Sequence, residues 1–205
     1  MNRFVITIGR EFGCNASEVG RKLAARLGVK FYEKELVEKA AEIAGMDESS
    51  IYDLDKKNSE KNMLHHYVNE FGYGVANSYF SEKAVEAQAY VVRDIASKES
   101  CVMFGRCADY FLADYENVLN VFLYAPFDFR LQHVSSSYSL TIPEAKKLIK
   151  KIDRRRNSWY KYVTGKNRGD RAYRHLMISM EKFSVDDVVE LILSAAKLRF
   201  NFSEV

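Results

Sequence analysis

The apolar positions of the chain follow two different rhythms. Largely apolar runs occupy residues 4–8, 101–104 and 118–124, and continuous rather than alternating apolarity marks a parallel strand buried on both faces. Elsewhere the apolar residues recur at helical spacing. Val19, Leu23 and Leu27 form one such stripe, opposite Arg21, Lys22 and Arg26. Leu36, Val37, Ala40, Ile43 and Ala44 predict a helix over 33–44, with Gly45 as its stop. Val85, Ala89, Val92 and Ala96 predict another over 81–98, capped by Ser81. Further helices are expected at 108–112, 126–134, 142–162 and 184–198, the last with Ser184 as cap and Asp186 and Asp187 in its first turn. Residues 29–32 read as a short strand or extended link and 176–180 as a last strand. Residues 47–80 are polar with aromatic islands at Tyr67, Phe71, Tyr73 and Tyr79 and read as short helices covering an edge.

Strands that alternate with helices predict an α/β fold, a parallel sheet with helices on both faces. With 205 residues and only two prolines, Pro126 and Pro143, the chain has material for one core and no Pro/Gly/Ser-rich linker, so a single domain spanning 1–205 is expected. The three cysteines, Cys14, Cys101 and Cys107, are odd in number and lack C-x-x-C spacing, which excludes a disulfide framework and points to a cytoplasmic setting. No apolar run approaches membrane-spanning length. His65 and His66 are adjacent and His133 and His175 lie far apart in sequence, which predicts no metal-ligand cluster. Charge changes this picture in one place. Residues 141–174 carry +9, whereas the whole chain carries +3, so everything else sums to −6.

In an open parallel sheet, ligands gather beyond the carboxyl ends of the strands. That rule selects Gly9 to Ser17, Gly105-Arg106 and the region 125–130. Strand, glycine-bounded turn and helix is the layout in which free N–H groups and a helix dipole converge on phosphate. The lysine of G-x-x-x-x-G-K-[ST] is missing here, however, and the same layout also serves as a tight turn. Arg106, behind a glycine at a strand end, suits a phosphate or a plain surface position. Cys14 sits where a thiolate would be favoured or where a small buried thiol would pack. The basic stretch offers arginines that close over phosphates on a loop flanked by Gly165 and Gly169, or a solvated helix face. Its interleaved aromatics also permit single-stranded nucleic acid, ranked below the others because no second basic patch exists.

Taken together the blocks resemble the cytidylate kinase-like family of P-loop nucleoside monophosphate kinases. The resemblance rests on Ile6-Thr7-Ile8-Gly9-Arg10-Glu11-Phe12-Gly13, Gly20-Arg21-Lys22-Leu23-Ala24 and Phe31-Tyr32-Glu33-Lys34-Glu35-Leu36. It continues through Val102-Met103-Phe104-Gly105-Arg106-Cys107-Ala108-Asp109-Tyr110, 145–153, Arg156, Tyr160, Tyr162, Gly165-Lys166 and Gly169-Asp170. It implies a P-loop kinase-like parallel sheet, a helical monophosphate-binding insertion at about 32–98 and a lid at about 153–170. ATP with Mg²⁺ would donate a phosphoryl group to CMP, dCMP or a related small acceptor. The cradle would be Gly9, Arg10, Glu11, Phe12, Gly13, Cys14, Asn15, Ala16 and Ser17, and the acceptor would meet Lys34, Arg106, Asp109 and Arg174. Asp153, Arg154 and Arg156 would serve the transfer, with Arg156 neutralising the moving phosphoryl group. The implied partners are nucleotides, with no membrane; a homo-oligomer stays open.

Three departures fall inside these positions. Where the family continues Gly-Ser-Gly-Gly-Arg-Glu, this chain has Gly13-Cys14-Asn15-Ala16-Ser17-Glu18. The acid expected to contact the acceptor sugar is Arg174, and the aromatic before Gly169-Asp170 is Arg168. They give the alternative reading of a catalytically weak or inactive nucleotide-binding or regulatory relative.

Overall fold

The computed structural model describes residues 3–45 and 82–201. The expectations for 47–80, Ser81 as a cap, and His65-His66 lie outside the described residues.

Five strands, β1 (Val5–Arg10), β2 (Lys30–Tyr32), β3 (Cys101–Phe104), β4 (Val118–Tyr124) and β5 (Leu176–Ser179), form one sheet in the order β2-β3-β1-β4-β5. Every pairing is parallel. Seven α-helices accompany them among the described residues: α1 (Ala16–Leu27), α2 (Glu35–Ala44), α3 (Glu82–Lys98), α4 (Ala108–Phe111), α5 (Phe127–Ser137), α6 (Ile142–Thr164) and α7 (Val185–Phe200). A 3₁₀ turn covers Arg171–Tyr173. None of the described helices is long and apolar enough to cross a membrane.

The apolar runs have the expected cause. In β3, Cys101 and Met103 join one core with α2, α3, Trp159 and Tyr160, while Val102 and Phe104 join the other with α1 and α7. Alternate side chains of one strand thus feed two cores, so neither face admits a polar residue unpaired. Thr7 and Asn120 show the exception, a buried neighbour pair on β1 and β4 in which Thr7 Oγ1 lies 2.7 Å from Asn120 Oδ1.

Several boundaries differ from the sequence reading, each for a local reason. β1 runs two residues past its apolar stretch because Gly9 and Arg10 stay in register with Phe122 and Leu123 of β4. Helix α2 starts at Glu35 rather than at residue 33, since Glu33 turns inward and its carboxylate faces Arg21 and Ser17. Helix α5 begins after Pro126 and extends to Ser137. Thr141 and Glu144 form a capping box with a proline at the start of α6, and Gly165 in left-handed conformation (φ 71°) stops it. Ser184 and Asp187 cap α7 in the same way.

Candidate active site

The carboxyl ends of β1, β3 and β4 open on a common region, and the loop Gly9 to Ser17 forms its floor. Gly13 is left-handed (φ 83°), and a Cβ there would meet Val134 Cγ2 at 2.6 Å, so only glycine allows the loop to close against α5. Asn15 also adopts left-handed backbone (φ 59°) and caps the start of α1, where its Nδ2 donates to Glu18 at 2.9 Å. Asparagine is among the few side chains that tolerate this region. Asparagine here therefore keeps the loop's path, although it adds a side chain where glycine would leave the backbone bare. Ala16 begins α1 and is buried. A cavity of about 270 Å³ lies over the loop, lined by residues 10–17 together with Phe104, His133, Tyr138 and Arg156.

Cys14 is packed inside the loop, with its thiol 3.2 Å from the Glu11 carbonyl oxygen and 3.6 Å from that of Leu123. Burial pushes the thiol up to about 11 despite the Ala16 amide that favours the thiolate. The thiols of Cys101, pushed up to about 12, and Cys107 are likewise raised by burial. The small buried thiol is therefore the fitting description of Cys14. An unfolded cysteine ionises near 8.5, so above that pH the unfolded chain releases thiol protons that the folded chain retains. Stability then falls with rising pH by up to about 1.4 kcal/mol per pH unit for each thiol. We expect no native thiol to react with a disulfide reagent at pH 8, and the urea midpoint to drop between pH 9 and 10.5 by less in Cys14→Ala than in the parent. A thiol that titrates in the native state would contradict this.

Beyond β3 the backbone is strained. Gly105, Arg106 and Cys107 are consecutively left-handed, with φ of 76°, 57° and 56°. Two non-glycine residues in that region cost on the order of 1–3 kcal/mol each. Gly105 has a steric reason as well, because a Cβ would collide with the Arg10 guanidinium. That guanidinium lies over the Phe104 ring at 3.9 Å. The result is a second, small cavity of about 40 Å³ lined by arginines 10, 106, 156, 168 and 174, with Asp109 and Tyr160. Arg10 and Arg156 line both cavities, so they stand between the loop and Arg106, Asp109 and Arg174.

Asp153 is the strut under this assembly. Its Oδ1 accepts from the Phe12 amide at 3.0 Å and from Arg168 Nη2 at 3.0 Å, while its Oδ2 accepts from Arg130 Nη1 at 2.6 Å. Arg130, itself buried, donates to the Phe12 and Ala125 carbonyls and faces Glu11 at 3.3 Å. Arg168 donates further to the Arg10 carbonyl and to Asn157. Segment 165–170 is thereby docked on the loop in this structure.

The anticipated site residues are distributed unevenly. Of the lid charges, Arg156 lines the loop cavity, Asp153 braces the loop from below, and Arg154 is exposed on the other side of α6. Arg106, Asp109 and Arg174 come together, but the Arg174 side chain is 1% exposed and forms an ion pair with Asp109, which also accepts from Tyr160 at 2.7 Å. Burial, followed by the Asp109 charge, raises the Tyr160 phenol, so it remains a donor. Lys34 is exposed at the start of α2 and lines none of these cavities.

Two residues escaped the sequence reading. Glu33, just past β2, is buried; Ser17 Oγ and Arg21 Nη2 approach one carboxylate oxygen at 3.4 and 3.2 Å, and the other oxygen makes no hydrogen bond among the described residues. The strand-end rule applied to β2 would have found it. His133, which faces the loop cavity, is held below the usual imidazole range by burial and so is neutral at pH 7; helical spacing from the region 125–130 was its only signal. His175 is instead structural, its Nδ1 accepting from the Asn120 amide at 3.0 Å.

Comparison with solved structures finds the same fold end to end. A crystal structure of an uncharacterized protein from Eubacterium ventriosum ATCC 27560 is 24% identical with a TM-score of 0.71, covering 96% of this chain and 100% of that one. A gluconokinase from Sinorhizobium meliloti 1021 is 13% identical with a TM-score of 0.56, covering 98% and 97%. Shikimate kinase from Acinetobacter baumannii, in complex with shikimate, is 16% identical with a TM-score of 0.51, covering 98% and 94%. At these identities the likeness is one of fold, that of P-loop kinases. No curated protein sequence matches the chain. The model of the cytidylate kinase-like family matches residues 5–182, which takes in all five strands, the loop and the arginine cavity, and the chain belongs to that family.

Proposed function

We propose that the protein transfers a phosphoryl group from ATP to CMP, dCMP or a related small acceptor, with the Gly9–Ser17 loop as donor site. The observation that supports this most is the shared wall formed by Arg10 and Arg156 between the loop cavity and the arginine-lined cavity beyond β3. A group passing from one side to the other meets both guanidinia. Phosphoryl transfer is mostly positioning and charge stabilisation, and two fixed cations at the crossing can take over part of what the missing loop lysine would do. Arg156 is buried and its guanidinium lies 5.6 Å from the Phe12 ring, which holds it at one place. Arg106 would hold the acceptor's anionic end. Asp109 is a positioning residue for Arg174 and Tyr160 in this account, and Asp153 is one for the loop and Arg168.

The residues present fit magnesium. Ser17 and Glu33 offer oxygen ligands at the start of α1, including the one buried carboxylate oxygen that makes no hydrogen bond among the described residues. Bound there, the ion would offset charge on the ATP phosphates. Residues of this chain do the rest: amides of the loop and of α1 orient the phosphates, Arg10 and Arg156 stabilise the charge that develops, and Phe12 and Tyr138 shield the loop cavity from water.

A second reading, a nucleotide-binding relative with little or no turnover, draws on Asn15 and Ala16, which narrow the floor of the loop, and on the Arg174–Asp109 pair, which occupies the acceptor side. The double substitution Asn15→Gly, Ala16→Gly, which leaves the Ser17 hydroxyl in place, separates the two. On the first reading it raises ADP formation from ATP in the presence of CMP by tenfold or more. No change would mean that the loop was never the limit.

A further inference from the structure

A third cavity, of about 850 Å³, lies on the opposite side of Asp153 between α5, α6 and segment 167–169. Its α6 wall consists of Lys150, Asp153, Arg154, Asn157, Ser158 and Lys161, positions 0, 3, 4, 7, 8 and 11 of one helix face. At 1.5 Å per residue its cations extend over about 16 Å. The half-buried ring of Phe127, packed over the buried Ile149, provides an apolar patch in the same groove.

The cations of this face differ from several on the other described helices. Lys22, Arg26 and Lys98 are exposed yet each faces a carboxylate, Asp186, Glu190 and Asp94 respectively. Lys150, Arg154 and Lys161 have no carboxylate partner among the described residues, and the one acid among them, Asp153, is committed to Arg130, Arg168 and the Phe12 amide. The neighbouring Lys151 ammonium is held below its usual range by burial and then by Arg155 and Lys147, in keeping with a concentrated positive field. A solvated face needs no cavity of this size and no apolar patch; a ligand site of ordinary dimensions has both.

We propose that this groove is a second, regulatory site for a small organic polyanion of the nucleotide class, with phosphates along Lys150, Arg154 and Lys161 and the ligand body against Phe127. Its route to the active site is Arg168, which lines both this groove and the arginine cavity beyond β3. Arg168 binds Asp153 and Asn157, both groove residues, and also the Arg10 carbonyl of the loop. An anion seated in the groove competes with Asp153 for this guanidinium and so biases segment 165–170 away from the loop. The proposal does not depend on the phosphoryl-transfer reading.

Calorimetric titration of the full chain with tripolyphosphate at low salt tests it. Two sites per chain are expected. Lys150→Ala/Lys161→Ala, both exposed and without packing roles, weakens one of them at least tenfold and leaves the other. Ser17→Asp, which places a negative charge at the loop, removes the other and leaves the groove. A single site in the parent that only Ser17→Asp removes would overturn the proposal, as would two sites unmoved by the double substitution. A single site that only the double substitution removes would support the groove and count against the loop instead. Single-stranded DNA of ten nucleotides that displaces tripolyphosphate from the groove at tenfold lower concentration would also overturn it, in favour of a nucleic-acid surface.

Discussion

Asp153→Ala is expected to destabilise the protein by about 3–5 kcal/mol, the cost of removing one partner from a buried charge network. Three groups lose their acceptor together: the Phe12 amide, the Arg130 guanidinium and the Arg168 guanidinium. The Arg130 and Arg168 side chains are only 8% and 11% exposed, so water reaches them poorly and replaces the lost carboxylate only in part; Arg130 keeps Glu11 at 3.3 Å. Asp153→Asn keeps an acceptor oxygen but not the charge, and most of the loss should persist. Urea unfolding measures this directly, as a fall in midpoint at unchanged slope. A loss below about 1 kcal/mol would mean that the network is screened like a surface ion pair and does not brace the loop. Because Asp153 holds the Phe12 amide, nucleotide affinity should fall together with stability in both variants.

Arg156→Ala should act on rate rather than on fold. If its guanidinium stabilises charge in transfer, kcat for ADP formation falls by about 10²–10³-fold, the range seen when one preorganised donor is removed, while KM for ATP changes much less. Arg156→Lys restores only part of this, because an ammonium cannot present paired N–H donors in a plane. Equal losses in affinity and turnover would instead assign Arg156 to ground-state binding. Its packing on Phe12 makes a stability control necessary, and the urea midpoint of each variant supplies it.

What could be read from the sequence followed from the physics of each signal. The apolar runs of β3 and β4 announced strands buried on both faces, and the Ser184 cap of α7 is local chemistry that tertiary contacts did not override. The strand-end rule selected Gly9, Arg106 and the 125–130 region because a parallel sheet turns the carboxyl ends of its strands to one side whatever the side chains are, and the structure places them at the ends of β1, β3 and β4. Pairings between distant residues were not legible. Nothing in the spacing of Asp153, Arg130 and Arg168 says that they meet, since one lies in mid-helix, one on the preceding helix and one in a loop. Arg174 illustrates the same limit. By position it reads as a lost acid, whereas in space it is the countercharge of Asp109, and the two are 65 residues apart. Asn15 shows the converse, a substitution that looks disruptive in sequence and that the left-handed backbone accommodates.

The central claim, that the Gly9–Ser17 loop and the arginine cavity beyond β3 form the two halves of a phosphoryl-transfer site, is tested most directly by phosphorus NMR. The purified full chain would be incubated with ATP, Mg²⁺ and each of CMP, dCMP and UMP in turn. ADP and the matching nucleoside diphosphate are expected in equal amounts with at least one acceptor, and both are lost in Arg156→Ala. ATP that stays intact with every acceptor, in a sample whose unfolding transition is normal, would contradict it.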